Sequence, residues 1–113
     1  MRDIRLYLEE ILAAIESIES FVSGIDLAAF QADDKTLSAT IMKLDVIGEA
    51  ARQVPEAFRQ LHPEVPWKDM VDMRNVLIHV YFGVKVPLVW DTVTKDLPKL
   101  KPQIRSILDE WRG

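Results

Sequence analysis

Arg74, Asn75, His79 and Tyr81 fall within eight consecutive positions, inside the stretch Met73-Arg74-Asn75-Val76-Leu77-Ile78-His79-Val80-Tyr81-Phe82-Gly83. Nowhere else in the chain do polar side chains of these types crowd so closely. Histidine can take or give a proton near neutral pH. Arginine can grip an anion with two parallel hydrogen bonds and stabilise charge that develops on it. Each residue also has an ordinary structural use. A lone His near a helix end caps carbonyls. A lone Arg forms an ion pair, and a Tyr packs in the core with its hydroxyl satisfied. What lifts the four above those uses is their clustering beside an otherwise apolar surface.

These residues need a helix to carry them. The spacing predicts one from Pro66 or Trp67 to about His79 or Val80, ended before Gly83. On a helical wheel Lys68, Asp72, Asn75 and His79 share one narrow polar stripe. The rest of the circumference is apolar: Trp67, Met70, Val71, Met73, Val76, Leu77, Ile78 and Val80. A helix this apolar has more surface than one core face needs. It is expected to be buried on two sides, in the bundle and against a second chain, with a two-fold homodimer the simplest arrangement. Arg74 projects from within the apolar arc and needs a partner, for which Glu49 or Asp45 on the preceding long helix are candidates. Arg74 and His79 are five apart, about 140° round an ideal helix. That angle favours a site shared between two protomers over one made by a single helix.

The remaining elements are helical too. The first helix spans about residues 3–23, with Ile4, Leu8, Ile11, Ile15, Ile18 and Val22 as its seam and Gly24 at its end. Residues 24–34 are expected to be a loop, anchored on the core by Phe30. Asp33 or Asp34 caps a second helix that buries Leu37, Ile41, Leu44, Ile47 or Gly48, and Ala51. Pro55 starts a short turn through Phe58 and Leu61, and His62-Pro63-Glu64-Val65-Pro66 breaks the helix. Pro87 suits the first turn of a fourth helix carrying Leu88, Val89, Trp90 and Val93. Pro98 is expected to kink or divide it. The apolar face continues through Leu97, Leu100, Ile104, Ile107, Leu108 and Trp111. No stretch shows the two-residue alternation of a half-buried strand. The expected fold is one all-α domain over residues 1–113, an up-and-down bundle of four main helices.

Composition narrows the function classes. With 49% hydrophobic and 28% charged residues the 113-residue chain fits a soluble globular domain. It has no cysteine and only two histidines, His62 and His79, so neither disulfides nor a thiolate or His-rich metal site is expected. Arg2, Asp3, Arg5, Glu9 and Glu10 do not read as a signal peptide, and no apolar run is long enough to span a bilayer. A cytoplasmic protein is expected. The net charge of -4 argues against a broad electrostatic grip on nucleic acid. It is uneven: residues 1–50 hold four basic and ten acidic side chains, residues 51–113 ten and eight.

Arg74-Asn75-x-x-x-His79-x-Tyr81 resembles the R-x4-H-x-Y signature of HepT-like proteins of the HEPN superfamily. Ile47-Gly48-Glu49-Ala50, Pro66-Trp67, Tyr81-Phe82-Gly83-Val84, Val89-Trp90 and Asp96-Leu97-Pro98 look like the same family, so the likeness covers essentially the whole chain. It implies an all-helical homodimer and a metal-independent endoribonuclease without a cofactor. It also implies the toxin of a toxin–antitoxin pair, with a minimal nucleotidyltransferase of the MntA kind as partner. By match of position Arg74 and His79 would be the catalytic pair and Asn75 an accessory. Tyr81 would receive AMP from the partner, which silences the toxin. RNA supplies its own nucleophile, the 2′-hydroxyl, and cleavage by that route leaves a 2′,3′-cyclic phosphate. One departure is visible: the family often has Asp two residues after Gly83, where it would cap the next helix, and here that residue is Lys85. Two other readings use the same residues. One is a non-catalytic module that docks a nucleotide or a nucleotidyltransferase; the other is a purely structural bundle.

Overall fold

The computed structural model describes residues 3–73 and 85–111, and all regular structure among them is helical. Helix α1, Ile4–Val22, starts where the Asp3 carboxylate accepts the N–H of Arg5 at 3.0 Å. Its seam of Leu8, Ile11, Ala14, Ile15 and Ile18 is buried. Gly24 follows with φ +76°, a conformation glycine adopts without steric cost. Helix α3, Asp34–Gln53, lies along α1 and buries Ile41, Leu44, Ile47, Gly48, Ala50 and Ala51. The periodicity expected of both long helices is therefore observed.

Asp33 is the cap of α3. Its carboxylate accepts the backbone N–H of Thr36 at 3.1 Å and the Thr36 hydroxyl at 2.6 Å. Those bonds, the hydroxyl's first, hold the Asp33 carboxyl below its ordinary pKa. A lowered pKa means the cap contributes above the ordinary carboxylate range and is lost as pH falls through the lowered value.

The expectation of a plain loop over 24–34 needs correcting. A short helix α2, Leu27–Ala32, forms there, capped by Asp26, whose carboxylate accepts the N–H of Ala29 at 2.9 Å. Six residues are too few to hold a helix by themselves. Phe30 supplies the tertiary reason: it is wholly buried, and its ring lies 5.0 Å from that of Trp90. The anchor role expected of Phe30 stands.

Helix α4, Glu56–Leu61, follows Pro55 as expected. Its Arg59 closes the end of α3. The guanidinium donates to the carbonyls of Ala51 at 2.9 Å, Arg52 at 3.1 Å and Val54 at 3.0 Å. Carbonyls in a last helical turn have no partner within the helix. Arg59→Ala should therefore lower stability by about 1–3 kcal/mol, read as a fall in the urea midpoint at constant slope. An unchanged midpoint would mean that water replaces the guanidinium without loss.

Helix α5 begins at residue 67 and is described as far as residue 73. Helix α6 covers Val86–Asp91, with Pro87 in its first turn. A π-turn, Thr92–Asp96, then leads into α7, Leu97–Asp109. This is the form the expected division near Pro98 takes. Proline has no N–H and its ring crowds the carbonyl four residues back. The wider turn, in which the Leu97 N–H reaches the Thr92 carbonyl, lets Pro98 sit in the first turn of α7. The Thr92 and Thr94 hydroxyls donate to the carbonyls of Leu88 and Trp90 at 3.0 and 2.8 Å. Helix α7 packs on α1 through Leu97, Leu100, Ile104 and Ile107. Lys101–Glu19 and Arg105–Glu16 pairs at 2.8 and 3.2 Å line that seam. Exposed pairs of this kind add little stability but favour one register.

Candidate functional site

The residues that could do chemistry come next in the sequence after the described part of α5, so the anchoring of α5 matters most. Its first turn is tied down from several sides. The Trp67 indole N–H donates to the His62 carbonyl at 2.9 Å. The side-chain amide of Gln103, on α7, donates to the Glu64 carbonyl at 2.9 Å. The Phe58 ring meets Trp67 edge-on, with centroids 6.5 Å apart. Val65, Trp67, Met70 and Met73 are all buried in the common core. The break at 62–66 is thus a clamped turn that fixes where α5 starts and which face it shows. The sequence offers no signal for the part played by Gln103, 39 positions from Glu64.

Arg74, Asn75, His79 and Tyr81 lie outside the described residues, as do Val76, Leu77, Ile78 and Val80 of the expected apolar arc. The described half of α5 follows the wheel. Lys68 and Asp72 are exposed and pair at 3.5 Å, opening the polar stripe. Trp67, Met70 and Met73 face the core, and Val71 is half-buried against it. The two carboxylates named as candidate partners of Arg74 are both half-buried on α3. Asp45 and Glu49 line one depression of about 510 Å³ with Tyr7 and Glu10 of α1. Glu49 also engages its own helix: Arg52 donates to it at 2.6 and 3.3 Å, and Gln53 at 3.2 Å.

A second cavity of about 460 Å³ runs between α5 and the π-turn with the start of α7. Met70, Met73, Leu97 and Leu100 form its apolar wall, and Glu64, Asp69, Asp72, Asp96 and Lys99 surround it. Among the described residues four carboxylates, one of them paired with Lys68, stand against one ammonium there, a balance that disfavours a polyanion.

Lys85 occupies the N-cap position of α6. Its carbonyl accepts the N–H of Leu88 at 3.0 Å and of Val89 at 3.4 Å, but no side chain caps the helix. This is the position at which the resemblance leads one to expect a capping Asp. A cation there opposes the helix dipole at a cost of about 0.3–1 kcal/mol.

Comparison with known proteins gives the family of the chain. A family model described as "Ribonuclease HepT-like" matches residues 11–107, which takes in α3, the Arg74–Tyr81 stretch of the sequence, and α6. A protein of Thermococcus cleftensis named "Probable ribonuclease HepT" is 48% identical over 101 residues, covering 89% of this chain and 92% of its own. A protein of Caldanaerobacter subterraneus subsp. tengcongensis named "Putative RNase TTE0752" is 40% identical over 110 residues, covering 97% and 98%. No solved structure gives a significant match. No helix among the described residues is long and apolar enough to cross a membrane. A helical bundle that clamps the start of α5, matched along most of its length by one family, leads to a single assignment: the chain belongs to the HepT-like family of HEPN proteins.

Proposed function

We propose that the protein is a metal-independent endoribonuclease, the toxin of a toxin–antitoxin pair acting in the cytoplasm as a homodimer. The observation that carries this reading is the family match across residues 11–107, which includes the Arg74–Tyr81 stretch. The names borne by its relatives agree with the ribonuclease part of it alone. In the proposed reaction His79 removes the proton of a ribose 2′-hydroxyl, and the 2′-oxygen bonds to the adjacent phosphorus. The bond from phosphorus to the 5′-oxygen breaks, and the second protomer's histidine returns a proton to that oxygen. The products are a 2′,3′-cyclic phosphate and a free 5′-hydroxyl. Arg74 holds the phosphate and stabilises the charge it gains, with Asn75 as an accessory. Two facing copies of the motif remove the difficulty that Arg74 and His79 diverge on one helix.

The test is cleavage of total cellular RNA by purified protein with EDTA present, beside Arg74→Ala and His79→Ala. Cutting by the wild type alone supports the reading. Absence of cutting, with no AMP found on the protein by intact mass, leaves the non-catalytic docking module.

Silencing is proposed to pass through Tyr81. Transfer of AMP from ATP to its hydroxyl forms a phosphodiester to the tyrosine oxygen and releases pyrophosphate. The added bulk and negative charge beside the phosphate site would repel RNA. Incubation with a cognate minimal nucleotidyltransferase and ATP should add one AMP mass to the wild type and none to Tyr81→Phe. Equal modification of both would place the acceptor elsewhere.

A further inference from the structure

The cavity of about 460 Å³ between α5 and the start of α7 has two kinds of wall. Its floor is apolar, made by Met70 and Met73 of α5 with Leu97 and Leu100 of α7. Methionine is unbranched and polarizable, so two of them in one floor make a surface that adapts to apolar groups of different shape. The rim is acidic. Asp72 pairs with Lys68 at 3.5 Å, and Glu64 stands 3.5 Å from His62. Asp69, in the first turn of α5, and Asp96, at the end of the π-turn, form no ion pair or side-chain hydrogen bond among the described residues. Glu56 and Asp109 are exposed and without an ion pair as well, but they line none of the described cavities.

An apolar floor under two unpaired carboxylates sets the chemistry of an occupant. It must lay aliphatic groups on the floor and bring cations to Asp69 and Asp96. A polyanion meets repulsion here. A neutral apolar segment would strip water from the carboxylates and leave them unpaired. A space between two helices suits a third, whose residues three and four apart share a face and can flank an apolar stripe with Lys or Arg. The π-turn borders the same cavity through Thr92 and Asp96, and turns of this kind recur at functional sites.

We propose that this cavity is a docking groove for a basic amphipathic helix of another protein. Lys or Arg side chains of that helix pair with Asp69 and Asp96, and its aliphatic side chains rest on Met70 and Met73. The inference does not depend on the ribonuclease reading, since it uses none of the residues of that site.

The probe is a labelled peptide of about 18 Leu and Lys residues patterned as an amphipathic helix, long enough to hold that form. Fluorescence anisotropy at low salt measures its affinity for the full chain, for Asp69→Asn/Asp96→Asn, and for Glu56→Gln/Asp109→Asn, which removes the same charge elsewhere. All four residues are exposed, so the exchanges leave the fold in place, which the melting temperature checks. The first double variant should bind roughly tenfold more weakly, as loss of two exposed ion pairs does at low ionic strength, and the second within about twofold of the wild type. A peptide with every Leu replaced by Gln, which keeps the helix propensity, should bind more weakly by over roughly tenfold. Methyl NMR of the methionines locates the contact. The Met70 and Met73 signals should shift, while that of Met42, exposed on α3, stays in place. Equal loss in the two double variants means attraction by net charge alone and overturns the proposal. So does a Gln peptide that binds as well as the Leu peptide, a shift at Met42 without one at Met70 and Met73, or no binding by the wild type. If Asp69→Asn/Asp96→Asn changes the mass of the protein's own assembly in sedimentation, a second copy covers the groove and the proposal falls.

Discussion

Replacing His79 by alanine should slow RNA cleavage by roughly 10²–10⁴-fold, the range spanned by a positioned acid–base group, while the chain still folds. Arg74→Ala should cost about 10²–10³-fold, as loss of one group stabilising a developing charge does elsewhere. The two losses differ in kind. Removing His79 leaves the phosphate held but the proton without a carrier, so kcat should fall with KM little changed. Removing Arg74 also weakens the grip on the phosphate, so KM should rise as well. Because the proposed reaction uses the histidines of both protomers, a mixed dimer of the two variants still lacks one of them, and mixing should not restore the rate. An unchanged rate in His79→Ala would remove that residue from the mechanism, whatever the family match.

The largest effect on stability is expected at Phe30. It is wholly buried and packs on Trp90, which links α2 to the helix that follows the motif. Phe30→Ala should cost about 3–5 kcal/mol, from lost transfer energy together with the cavity left behind. Against a total stability of about 5–15 kcal/mol for a domain, that leaves the fold marginal. Urea unfolding followed by tryptophan fluorescence would read both the midpoint and the changed surroundings of Trp90. A loss under about 1 kcal/mol would show that α2 is a dispensable surface turn and that the core closes without it.

The helices of this protein were legible in the sequence because their signals are local. The seam of α1 repeats every three to four residues, Asp33 caps α3 through a residue three positions on, and Pro55 and Pro87 stand at helix starts. The candidate chemistry was legible for a different reason. Residue types and spacing name Arg74, Asn75, His79 and Tyr81 without any structure, although these four lie outside the described residues.

Other features were not legible, and distance along the chain is the reason. The short helix α2 reads as loop, because its stability comes from the contact of Phe30 with Trp90 rather than from its own six residues. Pro98 announces a disturbance but not its form, since a kink, a break and a π-turn all relieve the same clash.

By itself the sequence determined an all-helical chain and the buried face of each long helix, and it offered Arg74, Asn75, His79 and Tyr81 as candidates for chemistry. Tertiary structure alone decided how the start of α5 is held and where α7 lies on α1. Helical periodicity and capping act within about four residues. Gln103 meets the Glu64 carbonyl across 39 positions, Lys101 meets Glu19 across 82, and Arg105 meets Glu16 across 89. No spacing rule links residues that far apart, because only the packing of the helices brings them together.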